Sequence, residues 1–394
     1  MPGIDRRLLV RWSMPVGLAA GLLAGAVAVA VIDHGVPVAT SGPRVGEEGP
    51  WGRIERLDFT FEPDLPGVLA ADCPKAPHPW TFPGTDAAGV RRLLRQAGLT
   101  GAQADALVAG ATCDGSGCVV RPDAAQSGAL SRRARAGLYP ALAANGANPW
   151  MREMPIRTLA AFRGSLEASG LPAPVRRRIA SMIFPWGQRH AFVDAAAACA
   201  GADDDVRRRV ARFFAGTDTS LARLLVAPGA DVERLAHYWA GARRSTGVPS
   251  LIASLTDPPC GGRLDVGHML PLFVRERVNR LARADEIAAD GLWLALHFSE
   301  DTRHPAWMDA GAAEDVLRAD WRPVSGEGVA LGDLVRFRAG PADIAAIHVA
   351  DGMLITRWSR HRFSPWVLTD REAVVQALEP LGPVAIQAFR KRVR

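Results

Sequence analysis

The hydrophobic pattern changes character several times along the chain. After Arg6, Arg7 and Arg11, no charge interrupts Ser13 to Ile32. As a helix, Met14–Ile32 would rise about 28 Å, close to the hydrocarbon thickness of a bilayer. The pattern therefore predicts a cytoplasmic basic stub (1–12), a transmembrane anchor (13–32) and a translocated body, because the arginines lie on the N-terminal side. A cleaved leader is the competing expectation: Ala26, Ala28 and Ala30 form overlapping Ala-x-Ala patterns, and Arg6-Arg7-Leu8-Leu9-Val10 resembles a twin-arginine signal. The length of the run and Pro15 within it favour the anchor. Residues 33–66 are Gly-, Pro- and Glu-rich around one alternating segment, Leu57, Phe59 and Phe61, and read as a stalk carrying a single strand.

Helical spacing then dominates. Val90, Leu93 and Leu94 form a stripe ending near Gly98. Thr100 with Gln103 makes a capping box for a helix ending at Gly110. Asp203 to Asp205 open a helix that stops at Gly216, and Asp231 opens another through Leu235 and Trp239. These signals predict an all-α domain over 67–250. After Pro258-Pro259 the texture changes. Leu270–Leu281 and Asp290–Phe298 read as helices, followed by short alternating strands at Leu331–Phe337, Ile344–Val349 and Met353–Trp358. Asp351-Gly352 is a hairpin signal between the last two. The expected fold class is α+β: a transmembrane helix, an all-α middle domain, and a helix plus antiparallel sheet over 260–394.

Hydrophobic residues at 48% and charged ones at 22% exclude a disordered chain. The net charge of +6 does not by itself indicate nucleic acid. Nearly all the basic residues are arginine beside abundant Ala, Gly and Pro, as a GC-rich genome produces, and Arg176–Arg178 and Arg207–Arg209 read as solvated helix faces. No nucleic-acid partner is expected. Of the five cysteines, Cys113 and Cys118 bracket the turn Asp-Gly-Ser-Gly and are placed for a short disulfide. Cys73, Cys199 and Cys260 leave at least one thiol over. No CxxC or HExxH occurs, and His304 with Glu300, Asp301 and Asp309 reads as a solvated loop, so neither metal nor other cofactor is expected.

Leu331-Gly-Asp-Leu-Val-Arg-Phe337, then Ile347-His348-Val349 and Asp351-Gly352, resemble the NlpC-type cell-wall hydrolases, a branch of the papain-like cysteine peptidases. The resemblance covers about Leu264 to Val393. It implies that His348 is the general base, with His361 or Ser359 in the region of the orienting group. It also implies a nucleophilic Cys opening the helix packed against the His strand, where helix dipole and histidine lower the thiol pKa. The matching helix opens instead with Gly291-Leu292, so the nucleophile position is lost. Cys260, in Pro-Pro-Cys-Gly-Gly, is the substitute. Trp293, Trp307, Trp358 and Asp333 are candidate binding residues of the old cleft; core packing is the alternative for the tryptophans, a strand-edge role for Asp333, and a hydrogen-bonded strand position for His348.

The resulting expectation is a bacterial inner-membrane protein with a periplasmic body. Its degenerate hydrolase domain would bind a cell-wall peptide or a partner protein. An active amidase or endopeptidase using Cys260 and His348, and a structural component of an envelope assembly, are the alternatives.

Overall fold

The computed structural model describes residues 35–39, 42–63, 73–241, 247–256, 261–298, 300, 302–325 and 328–392. Contacts divide the chain after Ile32, and all the described residues belong to the unit Asp33–Arg394.

In chain order, β1 (Gly35–Ala39), β2 (Arg44–Val45) and β3 (Arg53–Pro63) come first. β4 (Trp80–Pro83), β5 (Thr112–Asp114) and β6 (Gly117–Val120) form a three-stranded sheet among helices, as do β7 (Ile156–Arg157), β8 (Phe184–Trp186) and β9 (Arg189–Ala191). β10 (Thr217–Val226) and β11 (Gly262–Asp265) return to β3 in the order β1-β3-β10-β11, with β2 also on β3. The last strands are β12 (Arg280–Leu281), β13 (Trp321–Val324), β14 (Leu334–Ala339), β15 (Ala342–Ala350), β16 (Met353–Thr356), β17 (Pro365–Asp370) and β18 (Ala385–Lys391). They make a seven-stranded antiparallel sheet, β12-β17-β16-β15-β14-β18-β13.

The fold is α+β with antiparallel sheets, but two parts of the expected class are corrected. Among the described residues no helix is long and apolar enough to cross a membrane. An N-terminal transmembrane helix is therefore not supported, and the stretch expected to form it, 13–32, lies outside those residues. Nor is the middle all-α: β4 to β10 lie within 67–250. The alternation at Leu57, Phe59 and Phe61 is one strand of a sheet completed by residues more than 150 positions later, Phe61 pairing with Thr217 and Leu57 with Leu221. β1 and β2 pair with the same strand, so residues 35–39 and 44–45 are sheet. Pairing of β10 with β11 crosses the Pro258-Pro259 change in texture.

Local signals set many boundaries. Thr100 and Gln103 make the reciprocal capping box of helix Gly101–Ala109, and Asp203 caps Asp204–Ala215. Asp351 (φ 48°) and Gly352 (φ 70°) both take the left-handed conformation that a two-residue hairpin requires between β15 and β16. Leu270–Leu281 differs: helix is confined to Leu272–Arg275. Beyond it Asn279 (φ 59°) turns the chain, its N–H donating to Trp366 O and its amide to Ser220 O. Thr219 completes this junction between the sheets. Its Oγ1 accepts from Leu368 N–H at 2.9 Å and lies 2.6 Å from Asn279 Oδ1.

Candidate functional site

The helix expected to carry the nucleophile exists. Asp290 accepts from Trp293 N–H and caps Gly291–Leu296, all six residues of which are buried. It lies on β15, and the closeness of the approach explains the glycine. A Cβ on Gly291 would stand 1.6 Å from Ala345 O, well inside any tolerable contact. Position 291 is thus a backbone-to-backbone contact, and a cysteine there would push the helix off the sheet.

His348 does not face that helix. Ala345, the residue Gly291 touches, is three positions before it, about 10 Å along a strand and, by the odd offset, on the opposite sheet face. The core confirms the alternation. Ala345, Ile347 and Val349 pack in one cluster with Leu292 to Leu296, whereas Ala346 packs in another with Val374 and Leu378. Leu354, the cross-strand partner of His348, belongs to that second cluster. His348 is only 8% exposed, and its Nε2 is buried without a hydrogen-bond partner. Burial pushes its pKa down to about 4; nearby Asp333 opposes the shift and Arg371 adds to it.

Asp333 does not orient the imidazole. Its carboxylate accepts from Arg390 Nε at 2.8 Å and Nη2 at 2.6 Å, and from Ala330 N–H at 2.8 Å. Its carbonyl accepts from His348 N–H, which ties the two strand ends together through backbone. Asp333 is therefore a buried anchor between β14 and β18, its carboxylate engaged by Arg390 and Ala330. Cys260 lies outside the described residues.

The candidate binding tryptophans divide. Trp293 is 0% exposed, stacks with Trp366 and packs at a tilt against Phe273, so it is core. Trp307 is half-buried against His304 and His297. The His297 ring bridges Trp293 O and the N–H of His304, which makes this loop self-satisfied. Glu300 pairs with Lys391, and among the described residues no group of three or more His, Cys, Asp or Glu is placed for a metal ion.

Trp358 and His361 meet elsewhere. They line a cavity of about 190 Å³ together with Ser359, Phe214 and Glu153, between the seven-stranded sheet and the helical layer. A second compartment, also about 190 Å³, continues it through shared walls at Glu153, Phe214, His361 and Phe363, and reaches His78 and Trp150. Those two rings stack at 5.0 Å.

A buried arginine shapes this cleft. Arg357 Nε donates to Ser364 O, Nη2 to His361 O, and Nη1 to Ile287 O and Ala289 O. One guanidinium thereby pins the 357–364 loop to the turn ahead of Gly291. Burial lowers its own pKa to about 10. His361 is displaced downward by burial and then by Arg357, and its Nδ1 accepts from Phe363 N–H at 3.3 Å. The neutral ring then carries its proton on Nε2 and acts as a donor. Glu153 is shifted upward by burial, opposed by His78, and His78 downward by burial, opposed by Glu153. The cleft thus offers aromatic walls, a neutral N–H donor and two carboxylates, Glu153 and the Arg336-paired Asp343. Trp358, His361 and Ser359, singled out in the sequence, line this one cavity, whereas no motif singles out Glu153, His78 or Trp150.

Cys113 and Cys118 are paired across the β5–β6 hairpin, and Cys73 is paired with Cys199, 126 positions apart.

The chain matches no protein-family model, and comparison with curated proteins and with solved structures finds no match. The resemblance to cell-wall hydrolases therefore rests on the residues quoted for it.

Proposed function

We propose that this protein is an extracytoplasmic binding protein of the bacterial envelope, built on a degenerate hydrolase-like domain. Its ligand is a short peptide, as in the cell wall or an extended partner segment, held in the Trp358–His361–Glu153 cleft. The observation that carries the non-catalytic reading is the contact of Gly291 with Ala345 while His348 faces the other side of the sheet. No thiol at position 291 can meet that imidazole, and a base whose pKa has fallen to about 4 by burial is weak. The cleft supports peptide binding: Trp358 and Phe214 accept apolar side chains, neutral His361 donates to a carbonyl, and Glu153 accepts from an amine. Two disulfides support an oxidising compartment.

The test is titration of the purified body with soluble cell-wall peptides, followed by tryptophan fluorescence, for the wild type, Trp358→Ala and Glu153→Gln. Saturable quenching weakened about tenfold by either substitution is expected. Equal affinity in all three removes the cleft from the reading. Peptide cleavage by the wild type that disappears in Cys260→Ser refutes the non-catalytic reading and leaves a thiol hydrolase.

A further inference from the structure

A second concavity, remote in composition from the cleft, carries opposite chemistry. It encloses about 470 Å³, within the range of small-molecule sites. Its surface is almost wholly apolar, from Ala136, Leu159, Leu166 and Ile183, and the exposed Arg132, Arg133 and Arg163 stand at its edge with the half-buried His190. No acidic side chain among the described residues lines it.

The arginines are placed where helix energetics disfavours them. Arg132 and Arg133 open the helix Arg132–Ala144, whose first turn contains no acidic residue. There the positive end of the helix dipole repels a cation. Arg163 comes from the separate helix Leu159–Ala168, so no single periodic pattern brings the three together. Arg132 bonds Ala180 O through one Nη, which steadies its guanidinium at the rim. His190, beside them, has a buried Nδ1 without a hydrogen-bond partner. The His190 pKa is lowered first by burial and then by the charges of Arg132 and Arg163. The arrangement is thus an apolar hollow edged by three exposed guanidinium groups.

We propose that this concavity binds an amphipathic oxyanion. The anionic head, a phosphate ester in the first instance, sits among Arg132, Arg133 and Arg163, and a hydrocarbon body lies on Leu159, Leu166 and Ile183. Guanidinium groups bind phosphate oxygens bidentately, and an anion at the start of the 132–144 helix reverses the dipole penalty of its two arginines.

The probe is octyl phosphate below its micellar concentration, titrated calorimetrically into the whole chain, with inorganic phosphate and octyl glucoside as head-only and tail-only controls. Octyl phosphate is expected to bind about tenfold or more tightly than either control, and to lose about tenfold in Arg133→Ala/Arg163→Ala. Both arginines are exposed, so the double variant is expected to keep its fold, and an unchanged thermal transition verifies that. Equal binding of octyl glucoside, equal binding of inorganic phosphate, or undiminished affinity in the double variant overturns the proposal. Flotation with phosphatidylglycerol vesicles distinguishes the source of the head. Arginine-dependent flotation assigns it to a lipid surface, and its absence alongside octyl phosphate binding assigns it to a soluble amphiphile.

Discussion

Restoring a nucleophile at position 291 should damage the protein rather than revive an enzyme. A Cβ there lies 1.6 Å from Ala345 O and 2.6 Å from Ala345 C, where even tight contacts keep 3.0 Å, so the helix or strand must yield by about 1.4 Å. The obstructing atoms are backbone, and the helix is itself buried, its Trp293, Leu294 and Ala295 each 0% exposed, so it cannot shift without disturbing the core. Overpacking of this kind costs about 3 kcal/mol at the upper end of its ordinary range. Removing glycine from the unfolded chain returns about 0.5–1 kcal/mol. Gly291→Ala should therefore lose about 2 kcal/mol net, and Gly291→Cys more. Urea denaturation followed by fluorescence measures both, with Gly110→Ala as a control: it sits at a helix end with its nearest neighbour 3.9 Å away. If Gly291→Cys matches wild-type stability and its thiol alkylates with a midpoint well below about 8.5, the contact and the non-catalytic reading are both refuted.

Three further outcomes follow from the same structure. His348, with a folded pKa near 4 against an ordinary 6.5, favours folding above pH 6.5, and that contribution is lost as pH falls from 6.5 to 4 because the unfolded chain takes up the proton first. His348→Leu should flatten stability over that window by up to about 3 kcal/mol, leaving a residual slope from His297, which burial also lowers to about 4. An unchanged slope would mean that the ring is hydrated. Asp333→Asn should cost about 1–2 kcal/mol by urea midpoint, less than a fully buried pair because the Arg390 side chain is 35% exposed; a neutral result would show that the pair does not hold β14 to β18. Cys73→Ser/Cys199→Ser should cost about 5 kcal/mol and Cys113→Ser/Cys118→Ser about 2 kcal/mol in the loop-entropy picture, since the first closes a far longer loop. Equal losses by calorimetry would contradict that ordering.

Features written within a few residues of themselves were legible without coordinates. The Thr100–Gln103 capping box, the Asp203 and Asp290 caps, the strands around Leu334 and Ile347 and the Asp351-Gly352 turn depend on spacing and on local hydrogen bonds, which the chain carries wherever it goes. The absence of a nucleophile at Gly291-Leu292 was equally plain. Tertiary packing alone decided what those parts mean. The face to which His348 turns depends on which cluster lies on each side of β15, and the need for glycine at 291 depends on a strand more than fifty residues away. The strand around Phe59 takes its partner from Thr217–Val226, which helical signals on both sides had concealed. The cleft joins Glu153, Phe214 and Trp358, and the basic concavity joins Arg133 to Arg163, across separations that no periodicity records. Periodicity reports how one element divides its own faces, whereas sites arise where faces of distant elements meet.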